Sequence, residues 1–167
     1  TCINVLKPEI HDKALMPALQ SPWFAPHVIV YMLAYALLGA ATLMAVVSML
    51  RRDRGVALQG ADVHRQEGGG AADIVSLVRM GWAFLTVGML FGALWAKEAW
   101  GHYWTWDPKE TWALITLLIY AAALHGSSLK AFQNPKFFHW FTIVAFLCVL
   151  ITYFGVNLLL GGMHSYA

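Results

Sequence analysis

Four long apolar segments alternate with short polar segments along this chain of 167 residues. The apolar segments cover residues 28–50, 74–96, 111–128 and 138–160. Each is long enough for a helix that crosses a hydrocarbon core of about 30 Å, which takes roughly 17–25 residues. The second segment contains Arg79, whose charge we expect to reach the headgroup layer. The pattern therefore predicts an all-α fold, a polytopic membrane bundle of four transmembrane helices.

Polar segments separate these helices and divide the chain into two parts. Residues 1–26 contain four prolines and scattered apolar side chains, which predicts an extracytoplasmic or interfacial segment. Residues 27–167 form the predicted four-span domain. Residues 55–73 include three consecutive glycines, so we expect a flexible linker there. Since the first residue is Thr1 rather than Met, we expect a chain that is processed, truncated or part of a longer polypeptide.

Residues 95–112, between the second and third segments, hold five of the eight tryptophans. We expect an aromatic loop here, followed directly by a helix. Asp107 suits the N-cap, Pro108 the first helical position and Glu110 the third, where its side chain completes a capping box. The third helix is therefore predicted to begin at the last residues of the loop.

The composition is that of a membrane protein. Hydrophobic residues make up 59% of the chain and charged residues 12%, against about 25% charged residues in a soluble domain. The net charge of +2, without a basic run, gives no reason to expect nucleic acid as a partner. The two cysteines, Cys2 and Cys148, form no CxxC motif, and the apolar surroundings of Cys148 argue against a disulfide.

Crossing parity predicts that three features share one side of the membrane. Four crossings separate His27 from His164, and two separate His27 from the loop at residues 95–112. The basic residues of the opposite side are Arg51, Arg52, Arg54, Arg65, Lys130 and Lys136. By the positive-inside rule that side is cytoplasmic, so the loop and the two histidines are predicted to be extracytoplasmic. Lys7 and Lys13 reduce this contrast in charge.

The residues of that side suit a flat aromatic ligand with a central metal ion. Neutral imidazole is a common ligand of heme iron, so His27 and His164 are candidate axial ligands from opposite faces. Trp100, Trp104 and Trp106 are candidates for stacking against the porphyrin ring. The residue pattern thus indicates a possible heme site beside the loop.

The same residues also allow simpler interpretations. Tryptophans at a membrane–water interface commonly anchor helices, and a histidine at the end of a span is commonly an interfacial residue. Lys97 or Lys109 is a candidate partner for a heme propionate, but acidic residues lie near both. From the pattern alone, a cofactor site and an interfacial anchor both stay open.

His125 lies inside the third apolar segment, 13 residues beyond Trp112. That separation is roughly 20 Å along a helix that rises about 1.5 Å per residue, so His125 is predicted to lie towards the opposite leaflet. An ionisable residue within a span suggests a functional site. A hydrogen bond between helices is the alternative.

The segment Trp100–Ile115, WGHYWTWDPKETWALI, resembles the tryptophan-rich WWD signature of heme-handling proteins of cytochrome c maturation. Its form, with an aliphatic span that ends in Leu124 and His125, is similar to the CcsA/ResC branch of the system II pathway. It fits the related CcmC and CcmF proteins less well, because their motif differs after Trp-Asp. The segments Pro22–His27 and Gly162–Tyr166 resemble the CcsA/ResC branch as well.

This resemblance implies heme b as the cofactor and a role for individual residues. His27 and His164 match the family's external axial ligands of the heme iron, and His125 matches a transmembrane ligand of an inner heme site. The matching heme-binding loop comprises Trp100, Trp104, Trp106, Asp107 and Trp112. The second histidine of the inner site is expected in a ResB/CcsB-like membrane partner or fused half.

The function that the resemblance implies is heme binding, transport and presentation for covalent attachment to apocytochrome c. The protein would be a component of a holocytochrome c synthase, which joins heme vinyl groups to a CxxCH segment, and no side chain is assigned as a general acid or base. Further expected partners are a thioredoxin-like thiol reductant and membrane lipid. The expected location is a bacterial inner membrane, or a thylakoid membrane in a plastid. The alternatives are a membrane electron-transfer subunit with a permanent bis-histidine heme and a plain assembly or anchor subunit.

Overall fold

The computed structural model describes residues 20–55, 62–126 and 129–156. Within these residues the chain forms four α-helices and no strand. The helices are α1 Phe24–Gly55, α2 Asp62–Trp100, α3 Pro108–His125 and α4 Pro135–Leu150. Helix α4 continues directly into a π-helical turn, Ile151–Gly155. The predicted all-α fold class is confirmed for the described part of the chain.

Several parts of the sequence-based prediction fall outside the described residues. They are His164, which is the candidate second axial ligand, the segment Gly162–Tyr166 around it, residues 157–160 of the predicted fourth span, and residues 1–19 of the N-terminal segment. All of them stay predictions.

Among the residues that the structure describes, three helical segments are long and apolar enough to cross a membrane. They are Phe24–Arg51, Ala72–Trp100 and Pro135–Gly155. The remaining helix of the bundle is α3. Its 18 residues span about 27 Å, slightly less than a hydrocarbon core of about 30 Å. Its apolar part is shorter still, because its first turn holds Lys109 and Glu110 and its last residue is His125.

The four helices pack around a common core. Helix α1 packs most extensively on α2 and also contacts α4, while α3 lies against α2 and α4. Ala34, Ala41 and Ala45 of α1 are fully buried, and such small side chains let helix backbones approach closely. Larger side chains of the other helices fill the centre, among them Ile74, Val78, Leu85, Tyr120 and Val149.

Helix α2 is longer than the second apolar segment at both ends. It begins at Asp62, so the flexible linker predicted over residues 55–73 is wrong from residue 62 onwards. Extending an existing helix adds one hydrogen bond for each residue that becomes ordered, and this offsets the roughly 1 kcal/mol by which each glycine is less favourable than alanine. At the other end α2 runs through Trp100, which limits the non-helical part of the aromatic segment to residues 101–107.

The start of helix α3 is as predicted. The side chain of Asp107 accepts hydrogen bonds from the backbone N–H groups of Lys109 and Glu110. The Glu110 side chain accepts in return from the backbone N–H of Asp107, and Pro108 occupies the first turn. This reciprocal pair satisfies helix donors that would otherwise lack partners, and the capping box is confirmed.

Candidate functional site

His27 lies in the first turn of helix α1 and faces helix α2. Its Nδ1 donates a hydrogen bond to the backbone carbonyl oxygen of Gly88, at 2.9 Å. A Cβ atom on Gly92 would lie 2.7 Å from Cε1 of the imidazole, so a glycine is needed there for the ring to fit. In the neutral imidazole, a donating Nδ1 leaves on Nε2 the lone pair that a metal ion requires.

Aromatic rings contact the imidazole of His27 on two sides. The indole of Trp95 lies nearly parallel to it, with ring centroids 5.5 Å apart and an interplanar angle of 21°. The ring of Tyr31, one turn further along α1, meets it edge-on at 4.8 Å. Because Trp95 is 2% exposed, the stacked contact lies inside the bundle. Packing and one hydrogen bond together set the orientation of His27.

A cavity of about 270 Å³ lies beside His27, where α1, α2, α3 and the π-helical turn meet the loop of residues 101–107. We call it the loop-end cavity. Its lining residues are His27, Val28, Tyr31, Met32, Tyr35, Met89, Gly92, Ala93, Tyr103, Trp104, Lys109, Glu110, Ala113, Thr152 and Tyr153. Apolar and aromatic side chains form most of the wall, with a few convergent polar groups, which is the usual composition of a small-molecule site.

Three tyrosines continue the cavity wall from His27 into the bundle. Tyr31 and Tyr35 follow His27 at intervals of four residues on one face of α1, and their rings meet edge-on at 5.5 Å. Tyr35 in turn meets Tyr153 of the π-helical turn edge-on at 6.2 Å. The sequence-based prediction named none of them, although the four-residue spacing from His27 would have indicated the first two. The position of Tyr153 depends on the π-helical turn, for which the sequence pattern offered no sign.

The loop of residues 101–107 places its tryptophans in different surroundings. Trp104 lines the cavity, whereas Trp106 is 68% exposed. Their indoles meet edge-on with ring centroids 5.7 Å apart. Trp106 has a φ of 60°, in the left-handed region that a bulky residue rarely adopts. Its backbone is therefore strained, and neighbouring bonds must hold it in place.

The remaining residues of the predicted heme-binding loop lie around the cavity rather than in its wall. Trp100 ends helix α2 and meets Trp95 edge-on at 4.9 Å. Trp112 is half-buried near the start of α3, and Asp107 caps that helix. Of the five predicted loop residues, all within the described part of the chain, Trp104 alone lines the cavity. Trp95, which that prediction left out, contacts His27 directly.

The two lysines that were candidates for a propionate differ in their surroundings. Lys97 is exposed, and its Nζ donates to the carbonyl oxygen of Gly101 at 2.9 Å and lies 5.3 Å from the centroid of the Tyr103 ring. Lys109 lines the cavity. Burial lowers the pKa of the Lys109 amine from its ordinary value, and the nearby carboxylate of Asp107 partly opposes that shift. Lys109 is thus the lysine placed to meet an anionic group of a cavity ligand.

His125 is the last residue of α3, at the far end of that helix from the loop. Its Nδ1 donates to the backbone carbonyl oxygen of Ala121 at 2.8 Å, and its side chain is exposed. The imidazole meets the indole of Trp82 edge-on at 6.3 Å. The length of α3 separates His125 from the loop-end cavity, so the structure does not bring His125 and His27 together.

A family model described as "Cytochrome C assembly protein" matches residues 1–164 of the chain. The chain belongs to this family. Several curated members carry the name cytochrome c biogenesis protein CcsA. Membership of the cytochrome c assembly family supports a role in cytochrome c biogenesis. The long apolar helices of this chain are those of a membrane protein.

Three of the CcsA relatives show how much of the family protein the chain covers. The one from Synechococcus sp. is 39% identical, in an alignment that covers 91% of this chain and 58% of the relative. The one from Chlamydomonas reinhardtii is 40% identical, with 91% and 42% covered. The one from Crocosphaera subtropica is 35% identical, with 96% and 64% covered. The chain spans about half the length of these cytochrome c assembly proteins.

Proposed function

We propose that this protein binds heme b in the loop-end cavity and presents it for covalent attachment to apocytochrome c. The observation that carries the proposal is the hydrogen bonding and the position of the His27 imidazole. Its Nδ1 donates to a backbone carbonyl oxygen, which in the neutral imidazole leaves the lone pair on Nε2, and the same side chain lines an aromatic cavity. Histidines that bind metal ions commonly donate their other ring N–H to a carbonyl oxygen, because that bond sets the tautomer and the ring orientation.

The composition of the cavity suits a porphyrin. Aromatic and aliphatic side chains suit the apolar ring, and the ammonium group of Lys109 suits a propionate. The cavity of about 270 Å³ is slightly below the roughly 300–1,000 Å³ of typical ligand sites. It would therefore enclose part of the ligand and leave an edge at its mouth. An accessible edge is what attachment requires, because the vinyl groups must meet thiols of another protein.

The residues of this chain would supply binding and orientation, and the bound heme would supply the reactive vinyl groups. His27 would bind the heme iron through its imidazole. Trp104 and the tyrosines of the wall would orient the ring and exclude water. His164 is the proposed second residue that would bind the iron, on the resemblance to the CcsA/ResC branch. Two imidazole ligands would keep oxygen off the iron until the heme is transferred.

We propose in addition that His125 is one ligand of a second, inner heme site. Its Nδ1 donates to the carbonyl oxygen of Ala121, so its Nε2 also has the lone pair that a metal ion needs. Its exposed side chain is accessible to a neighbouring helix. A histidine of a ResB/CcsB-like partner or fused half would complete this site.

The proposed setting is a bacterial inner membrane or a thylakoid membrane, with the loop on the extracytoplasmic side. The charge distribution of the sequence supports this orientation. Apocytochrome c is the proposed acceptor of the heme. A thioredoxin-like reductant would keep the acceptor's CxxCH cysteines as thiols, which is the form that adds to a vinyl group.

Titration of the purified protein with hemin tests the binding step. The wild-type protein is expected to give the absorption and reduced-minus-oxidised spectra of a bis-histidine heme, and His27→Ala to lose them. His102→Ala is the matched control, because His102 is an exposed histidine of the same loop that does not line the cavity. A His27→Ala protein with the wild-type spectrum would contradict the proposal.

Addition of a reduced CxxCH peptide to the hemin-loaded protein tests the presentation step. We expect heme to leave the protein and to be recovered with the peptide. Retention of the heme would instead favour the alternative of an electron-transfer subunit with a permanent bis-histidine heme.

A further inference from the structure

The carboxylate of Glu110 binds the loop at more points than helix capping requires. Its Oε2 atom accepts from the backbone N–H of Thr105 at 2.8 Å, from the Thr105 hydroxyl at 3.3 Å and from the backbone N–H of Asp107 at 3.3 Å. A capping box includes only the bond from the N-cap residue, here Asp107. The other two bonds extend the contact into the loop. We call Glu110, Thr105 and Asp107 the Glu110 clasp.

The clasp encloses the strained residue Trp106, whose φ is 60°. The residues on both sides of it, Thr105 and Asp107, are bound to the same carboxylate oxygen. The hydroxyl of Thr111 also donates to the carbonyl oxygen of Trp106, at 3.3 Å. An unfavourable backbone conformation persists where surrounding bonds over-determine it, and these bonds do so for Trp106.

The backbone that the clasp holds decides where the two neighbouring indoles lie. In an extended segment, side chains two residues apart point to the same side. With the left-handed residue in place, Trp104 lines the loop-end cavity while Trp106 is 68% exposed. The backbone conformation at Trp106 is thus the reason why one indole lines the cavity and the other is exposed.

We infer that Glu110 is a positioning residue for the ligand of the loop-end cavity. It holds Trp104 in the cavity wall through the loop backbone, and this inference rests on the proposed heme-binding function. A loop that is already ordered loses less conformational entropy when the ligand binds, so the clasp raises the affinity for a flat aromatic ligand. Glu110 acts on the ligand through Trp104.

A direct effect of the Glu110 charge is the competing explanation, because Glu110 also lines the cavity. Glu110→Gln separates the two, since the amide oxygen still accepts the hydrogen bonds while the negative charge is lost. Glu110→Ala removes both. Thr105→Val removes one clasp bond at a residue outside the cavity wall, so its effect on the ligand has to pass through the loop.

Hydrogen–deuterium exchange of the full chain without ligand tests the clasp itself. The amides of Thr105 and Asp107 are the ones that the clasp binds. We expect Glu110→Ala to speed their exchange by at least about tenfold, because the bonds to a charged acceptor are lost, and Glu110→Gln to speed it less. Asp73→Ala removes an exposed carboxylate towards the other end of α2 and is the matched control. If the amides of Glu110→Ala exchanged at the wild-type rates, the Glu110 carboxylate would not hold the loop backbone and the inference would be wrong.

Hemin titration of the same variants tests the positioning role. We expect Glu110→Ala to weaken hemin binding about tenfold and Thr105→Val about threefold, as expected for lost pre-organisation, with Glu110→Gln near the wild type. If Glu110→Gln weakens binding as much as Glu110→Ala while Thr105→Val does not, the charge acts directly and the positioning role is overturned. If the wild-type protein binds no hemin, the proposed function fails and the positioning role fails with it. The exchange rates then still show whether the clasp exists.

Discussion

The imidazole of His27 and the indole of Trp95 lie nearly parallel, with ring centroids 5.5 Å apart. They come from different helices, α1 and α2, which approach closely at glycines of α2, and two of these glycines lie near His27. A Cβ atom on Gly88 would lie 2.7 Å from the ring of Tyr31, and one on Gly92 would lie 2.7 Å from His27 itself. The position of the candidate iron ligand therefore depends on the packing of α1 against α2 and on side chains that are absent at those two positions.

Gly92→Ala is expected to displace the imidazole of His27. The new methyl group would overlap Cε1 and Nδ1 of the ring, and overpacking of this kind commonly destabilises a site by about 1–3 kcal/mol. Hemin affinity should fall on the order of tenfold, measured by absorption titration. Gly39→Ala is the control, because its Cβ would meet the ring of Phe146 at an ordinary 3.4 Å. Equal affinities of the two variants would show that His27 does not depend on this contact.

Trp95→Ala is expected to destabilise the bundle as well as to loosen His27. Trp95 is 2% exposed, and truncation of a buried tryptophan lowers the free energy of unfolding by about 3–5 kcal/mol. Trp106→Ala is the matched variant, since Trp106 is 68% exposed and its removal should change that free energy by less than about 1 kcal/mol. Denaturant unfolding of the two variants, purified in one detergent, measures both free energies of unfolding. A similar loss in the two variants would contradict the difference in burial.

Asp107→Ala is expected to weaken the start of helix α3. The variant removes the side chain that accepts from the backbone N–H groups of Lys109 and Glu110. Loss of an N-cap lowers the free energy of unfolding by about 0.5–2 kcal/mol. Asp107→Asn keeps an accepting oxygen and should retain most of the stability. Thermal unfolding compares the two, and an Asn variant as unstable as the Ala variant would assign the effect to charge.

Lys109→Met is expected to weaken binding of hemin but not of its dimethyl ester. The Lys109 side chain lines the cavity, and a partly exposed ion pair with one propionate should contribute a threefold to tenfold change, or about 0.7–1.4 kcal/mol. Lys97→Met is the control, because Lys97 donates to the carbonyl oxygen of Gly101 at the end of α2. Parallel titrations with the acid and the ester separate the carboxylate contact from packing. An equal loss for both ligands would exclude the contact.

The amino-acid pattern alone determined the helices and the start of α3. Predominantly apolar segments of about 20 residues satisfy their backbone groups within a membrane by forming helices, so hydropathy was enough to predict them. Asp107, Pro108 and Glu110 predicted the capping box because capping depends only on residues a few positions apart. The motif Trp100–Ile115 carried the family resemblance, and the family match over residues 1–164 agrees with it.

Tertiary structure decided which aromatic residues surround the cavity. Trp95 contacts His27 because α1 and α2 pack closely at glycines, and Tyr153 lines the cavity because a π-helical turn follows α4. The outward position of Trp106 follows from a left-handed backbone that Glu110 holds. Hydropathy reports how apolar a segment is, and helical spacing reports which residues share a face. Neither reports which faces meet, because that depends on packing between residues that are distant in the chain.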